Sequence, residues 1–327
     1  MIAKKPPYEL TPPYPAIRAA LHSGMVIPFL GSGASLGKRS LNSVWEKCKG
    51  LNEGKVPALK CYWKEIYDSS IAYKPYLPKS GELACYLARM TGFPEQEQLD
   101  LAKVAQYYEL VIGRGGLDAT LRDIFIKTYE FTSVHSYLAS IEKPLLVVTT
   151  NYDYLIESAF EAAGRPYDVV IYTTADPKQG DRLLWQKHEG GVPKLVNPGY
   201  IDIDLENRTV IYKMHGAVDR HDPKRDQYVI TEDDYITFMS RVTRHKAAPR
   251  IFAEPFQTRH FLFMGYSLTD WNLRVLFNYI DKNLRAAKPI ASWAIQDNPR
   301  PLEQTIWQER GVHVYDMLLD DFIDQLG

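Results

Sequence analysis

Apolar residues fall into two patterns along the chain. Seven short, nearly unbroken runs stand out: VIPFL (26–30), LLVVTT (145–150), YDVVIY (167–172), TVIYKM (209–214), FLFMGYSL (261–268), ASWAIQ (291–296) and GVHVYDM (311–317). Strands covered on both faces read this way, whereas a half-exposed strand alternates. Elsewhere apolar residues recur every three or four positions, predicting helices over 15–23, 99–112, 117–126, 134–141, 154–163, parts of 232–256, 270–285 and the C-terminal end. Gly164 reads as a helix stop. Strands separated by helices predict an α/β fold with a doubly wound, parallel, Rossmann-like sheet. The stretch 40–141 shows no strand pattern and reads as a large helical insertion. Segment 173–206, rich in Gly, Pro, Asp and Lys, reads as irregular. The proline-rich residues 1–14 read as an extended arm, leaving one domain over 15–327.

Composition narrows the class. The 327 residues are 45% hydrophobic, ample for a large core, and carry a net charge of −1. No global basic field draws the chain to nucleic acid or an anionic membrane. The one basic stretch, RVTRHKAAPR (241–250), fits a solvated helix face or a contact with an acidic partner or nucleic acid. Cys48, Cys61 and Cys85 form no CxxC, which argues against a disulfide framework and a cysteine-rich zinc module. Prolines fill the N-terminal residues where a signal peptide needs an apolar run, and no run reaches the roughly 18 residues of a membrane span. A cytoplasmic protein is expected.

Four predicted strands end in glycine or polar residues: Gly31-Ser32-Gly33-Ala34-Ser35, Thr149-Thr150-Asn151-Tyr152-Asp153, Lys213-Met214-His215-Gly216 and Gly265-Tyr266-Ser267-Leu268. Ligands of open parallel sheets bind outside the carboxyl ends of the strands, so neighbouring strands would bring the four groups to one crevice. Gly31 and Gly33 permit a tight turn and close approach of a phosphate, and a helix beginning there would add free amides and its dipole. Asn151 and Asp153 sit at a strand-to-helix junction, where they fit helix capping as well as ligand contact. His215 fits a satisfied core residue or, with a pKa near 6.5, a proton-transfer group. Ser267 fits a turn hydroxyl or a donor to phosphate or ribose.

Taken in order, the four segments resemble the sirtuin superfamily, in particular the bacterial sirtuin-like domains that consume NAD in phage defence. FLGSGAS is similar to the GAG-x-S loop, with Ser32 for alanine. TTNYD resembles TQN-x-D, with Thr150 for glutamine. KMHG resembles the catalytic histidine-glycine motif, and GYSL resembles G-T-S-L with Tyr266 for threonine. Deacylase sirtuins also carry a four-cysteine zinc ribbon; here no cysteine follows Cys85. That departure and the missing glutamine argue against protein deacylation and favour transfer to water.

The resemblance implies NAD as substrate and hydrolysis of its nicotinamide–ribose bond through an oxocarbenium-like state. Asn151 would orient the ribose and the attacking water, and His215 would act as base. Gly31, Ser32, Gly33, Ala34, Ser35, Gly265 and Ser267 would hold the dinucleotide, while Asp153 supports nicotinamide or the Asn151 loop. No zinc or other metal is expected. A constitutive NADase would kill its own cell, so the resemblance further implies a gated homo-oligomer working with a separate protein, such as a HerA-type ATPase or a short Argonaute. An NAD or ADP-ribose sensor without turnover is the alternative, and deacylation or ADP-ribosyl transfer is a third.

Overall fold

The computed structural model describes residues 11–37, 39, 43–48, 72–94, 100–174, 181–188, 190–244, 247–266 and 291–327. Ser267, Cys61, the expected helix at 270–285 and the first ten residues of the arm lie outside that set. Nine described strands form one sheet: β1 (Val26–Leu30), β4 (Leu146–Thr149), β5 (Tyr167–Tyr172), β6 (Leu183–Gln186), β7 (Lys194–Val196), β8 (Thr209–Lys213), β9 (His260–Met264), β10 (Ser292–Gln296) and β11 (Val312–Asp316). Their order is β11-β10-β9-β1-β4-β8-β5-β6-β7. All seven expected strands are present, and from β11 to β5 every pairing is parallel.

Alternate side chains of each strand enter two cores. Ile27, Phe29, Val148 and Tyr212 face one layer, packed by Phe238, Phe252 and Trp307. Val26, Leu30, Val147 and Ile211 face the other, packed by Ile17, Leu138, Phe160 and Phe322. Helices on both faces explain why the strands read as nearly unbroken apolar runs. From β1 the chain steps to β4 on one side, while β9 pairs β1 on the other. That reversal opens a crevice at the carboxyl end of β1.

Two expectations need correction. The stretch 40–141 is not free of strands, since β2 (Ser43–Trp45) and β3 (Ala72–Lys74) form a small parallel sheet. Three residues are too few to show a period of two. Likewise 173–206 is not wholly irregular: β6 and β7 extend the sheet in antiparallel fashion from β5. Lys194 and Leu195 on β7 are exposed, so this edge carries little hydrophobic signal.

The inserted helices Ser80–Thr91, Leu101–Ile112 and Arg114–Phe125 share a third core with Leu155, Val218, Tyr228 and Ile230. Two arginines clamp the module to the loop after β8 and to the first turn of the helix Glu232–Thr243 that follows it. Arg114 donates to both carboxylate oxygens of Asp234 at 2.9 Å and to the Tyr228 carbonyl at 2.7 Å. Arg122 donates to the Asp226 carboxylate at 2.7 and 3.0 Å and to the Asp219 carbonyl at 2.9 Å. Hydrogen bonds to charged groups contribute about 1.5–3 kcal/mol. Arg122→Ala is therefore expected to lower the urea unfolding midpoint by a loss of that order; an unchanged midpoint would assign docking to the apolar contacts alone.

Candidate functional site

The glycine loop is built against β9 by backbone meeting backbone. Gly31 N–H donates to the Met264 carbonyl and Gly33 N–H to the Gly265 carbonyl, both at 2.9 Å. A Cβ on Gly31 would lie 2.6 Å from the Gly265 oxygen, and one on Gly33 2.8 Å from the Gly265 Cα. Gly265 itself has φ +72°, and a Cβ there would stand 2.1 Å from the Ala34 nitrogen. No side chain fits at these three positions without moving the main chain.

The turn that follows, Ser32–Ser35, is a single 3-10 turn rather than the expected longer helix. Ala34 N–H and Leu36 N–H donate back to Gly31 and Gly33 at 3.0 and 3.2 Å. Four loop amides are thus already paired, so a cradle here rests on loop shape and on Ser35 rather than on a row of free N–H groups. Ser32 is exposed, Ala34 buried and Ser35 half-buried.

Asn151 and Asp153 converge on Ser35. Asn151 Nδ2 donates to the Gly31 carbonyl at 3.0 Å and to Ser35 Oγ at 2.9 Å, while Ser35 Oγ donates to Asp153 Oδ2 at 3.0 Å. The other Asp153 oxygen accepts the Leu155 amide at 3.0 Å, at the start of the helix Leu155–Ala162. Asp153 thus serves the helix start and holds Ser35 at the same time. Asp153 also lines a cavity of about 370 Å³ with Tyr129, Tyr154, Ser158 and Arg220.

Below this segment runs a buried ion pair. Lys213 Nζ meets Glu157 Oε1 at 2.7 Å and donates to the Asp153 carbonyl. Burying both charges is costly, and it is the geometry of the paired state that fixes the Asp153 peptide.

His215 stands two residues past Lys213, which pairs Thr149, itself two residues before Asn151. The imidazole is 6% exposed, edge-on to Tyr235 and Phe238 at 5.3 and 5.2 Å. It forms no side-chain hydrogen bond within the described residues. Burial alone pushes its pKa down to about 3, so the ring is uncharged at neutral pH. Gly216, at φ +90°, lets the chain turn where a Cβ would lie 2.1 Å from the Gln227 carbonyl oxygen.

Pattern reasoning passed over several residues. Tyr266 OH donates to Thr150 Oγ1 at 2.9 Å. Two of the three departures from the sirtuin motifs, Thr150 and Tyr266, thus meet in one hydrogen bond. Thr132 and His135, described below, carried no visible signal beyond a helix start. In the basic stretch, Arg241 is buried and donates to the Thr173 carbonyl at 2.6 Å, while Arg244 and Arg250 are exposed. Among the described residues, no cluster of three or more His, Cys, Asp or Glu side chains could hold a metal, and no helix is long and apolar enough to cross a membrane.

The model of the SIR2-like domain matches residues 145–315, from β4 to β11. The chain belongs to the SIR2-like family. Among curated proteins it is similar to NAD(+) hydrolase ThsA of Enterococcus faecium, 30% identical over 72% of this chain and 40% of that protein. NAD(+) hydrolase ThsA of Bacillus cereus (strain MSX-D12) is 29% identical over 62% of this chain and 35% of its own length. Defense-associated sirtuin 2 of Bacillus subtilis is 24% identical over 65% and 18%. The chain thus spans 40% or less of these relatives. The SIR2-like match contains Asn151, Asp153, His215 and Gly265 but begins well after Gly31–Ser35, which the fold brings to Asn151, Asp153 and Gly265; no hydrogen bond joins that loop to His215 among the described residues.

The backbone contact at Gly265 is the point most sensitive to a single methyl group. Gly265→Ala forces a left-handed residue, costing about 1–2 kcal/mol, and adds the clash with Ala34. A lower urea midpoint with an unchanged slope is expected; native stability would show that the seam can open at little cost.

Proposed function

We propose that the SIR2-like domain hydrolyses NAD to nicotinamide and ADP-ribose. The observation that carries this reading is the Asn151 amide, held by Gly31 and Ser35 next to the strand that leads to His215. The names of two relatives, both NAD(+) hydrolases, support it. In the reaction, water adds to the ribose C1′ as the glycosidic bond breaks. The bonding electrons leave with the nicotinamide nitrogen, neutralising its positive charge, and one proton is released to solvent. Positive charge develops on the ribose. An electrophile that reactive asks for an oriented water more than for a strong base. Asn151 is assigned to orient the ribose and the water. His215, uncharged, accepts a hydrogen bond from the water or a ribose hydroxyl and takes its proton as the bond breaks.

The loop Gly31–Ser35 with Gly265 is assigned to the pyrophosphate, Ser267 to the same group, and Asp153 to nicotinamide or to holding Asn151. The further role assigned is defence against phage; the relative named a defense-associated sirtuin supports the defence part of it. In that role the activity would be gated in an assembly of several copies with a separate partner, of the HerA-type ATPase or short Argonaute kind, in the cytoplasm. Light scattering of the purified chain alongside its NAD turnover tests the assembly; full activity as a monomer would remove it.

Incubating the purified chain with NAD, with and without an acetyl-lysine peptide, separates the reactions. Nicotinamide release without peptide is expected. Release only with peptide would make the domain a deacylase, and ADP-ribose binding without release would make it a sensor. Asn151→Ala and His215→Ala are expected to fold and to lose about 10²–10⁴-fold in kcat. Because burial keeps His215 uncharged down to about 3, kcat/KM should stay flat from about pH 8 to about pH 5. An acid limb near the ordinary histidine pKa of about 6.5 would contradict the buried-ring assignment.

A further inference from the structure

The glycine loop is gripped from a second direction, by the residue that opens the helix Ser133–Ser140. Thr132 Oγ1 donates to the Ala34 carbonyl at 2.8 Å. A Cβ on Gly37 would lie 3.3 Å from the Thr132 methyl, so this one side chain borders the loop at both 34 and 37. Thr132 is itself held. Its backbone N–H donates to His135 Nδ1 at 3.1 Å, and its hydroxyl lies 3.0 Å from the same nitrogen. His135 is 1% exposed and sits in the first turn of that helix.

These contacts make a chain of defined geometry. Nδ1 accepts from the Thr132 amide, and the Thr132 hydroxyl gives its one proton to the Ala34 carbonyl. The bond at the Ala34 oxygen fixes the planar Ala34–Ser35 peptide. That plane sets the Ser35 Cα, and with it the hydroxyl that lies 2.9 Å from Asn151 Nδ2 and 3.0 Å from Asp153 Oδ2. We infer that Thr132, seated by His135, is a positioning residue that holds Ser35 where it can orient Asn151 for the NAD reaction. It touches no substrate and acts through the loop. The catalytic consequence rests on the hydrolase reading; the control of loop position does not.

Three variants and two measurements test this. T132V removes the hydroxyl and keeps the shape, T132S keeps the hydroxyl and drops the methyl, and H135N keeps an acceptor near the Nδ1 position. Amide hydrogen exchange of residues 31–37 in the full chain reports loop position without substrate, and steady-state NAD hydrolysis reports KM and kcat. T132V is expected to exchange about tenfold faster at 31–37 with little change elsewhere. It should lower kcat/KM by about tenfold or more through the loosened Asn151. T132S and H135N should remain close to the native chain in both measurements. Native exchange in T132V, or a T132S chain as impaired as T132V, would overturn the proposal. If T132V is destabilised throughout, the other two variants decide: native protection at 31–37 in both supports it, and loss in either overturns it. Absence of NAD turnover by the native chain would fail the hydrolase reading alone, and hydrogen exchange would still decide the positioning.

Discussion

Main chain against main chain, with no side chain between, is the constraint on which the rest of this structure depends. Gly31, Gly33 and Gly265 let the turns after β1 and β9 continue the ladder beyond the strands themselves. The strand register cannot slip past that contact, because every neighbouring residue would introduce a Cβ. Once β1 and β9 are fixed, β4 follows on the other side of β1, and Asn151 reaches across to the Gly31 carbonyl. A site assembled this way is stiff where it holds Asn151 and Asp153, which suits a reaction that depends on orientation.

The segment Asn151-Tyr152-Asp153 divides its side chains between two tasks. Asn151 and Asp153 turn to the glycine loop. Tyr152 turns into the inserted module, with its hydroxyl on the Val229 carbonyl at 2.7 Å and its ring edge-on to Phe125 and Tyr228 at 5.1 and 5.3 Å. Arg114 and Arg122 tie the same module to the loop that follows His215. The module is thus joined to both strand ends that carry the proposed catalytic side chains. Its helices define the setting of the site although none of them supplies one of those side chains.

Much of this architecture was legible in the sequence for a clear physical reason. Strands buried on both faces cannot hide their apolar runs, and helices covering them repeat every three or four residues. What escaped was short or edge-lying. β2 and β3 have three residues each, and β7 exposes Lys194 and Leu195 to solvent. The four groups at strand ends were visible as motifs, but their mutual bonds were not. Nothing in the spacing reveals that Ser35 would join Asn151 to Asp153, or that Tyr266 would find Thr150. Thr132 and His135 read only as a helix start, because a side chain serving a loop about a hundred residues away leaves no local period. The His215 pattern suggested a group titrating near neutrality, whereas Tyr235 and Phe238, brought in by a later helix, exclude water and hold the ring neutral.

The seam between β1 and β9 has a consequence for how the protein comes into being. β1 leaves the ribosome long before its partner β9, with β4, β5 and β8 synthesised between them. Until β9 emerges, the glycine loop lacks the carbonyls of Met264 and Gly265 that shape it, and Asn151 has no fixed Gly31 carbonyl to hold. A nascent or truncated chain therefore carries the site residues without the site. For a domain proposed to destroy a cofactor of its own cell, this long closure delays competence until β9 has been made, a safeguard that arises from topology alone.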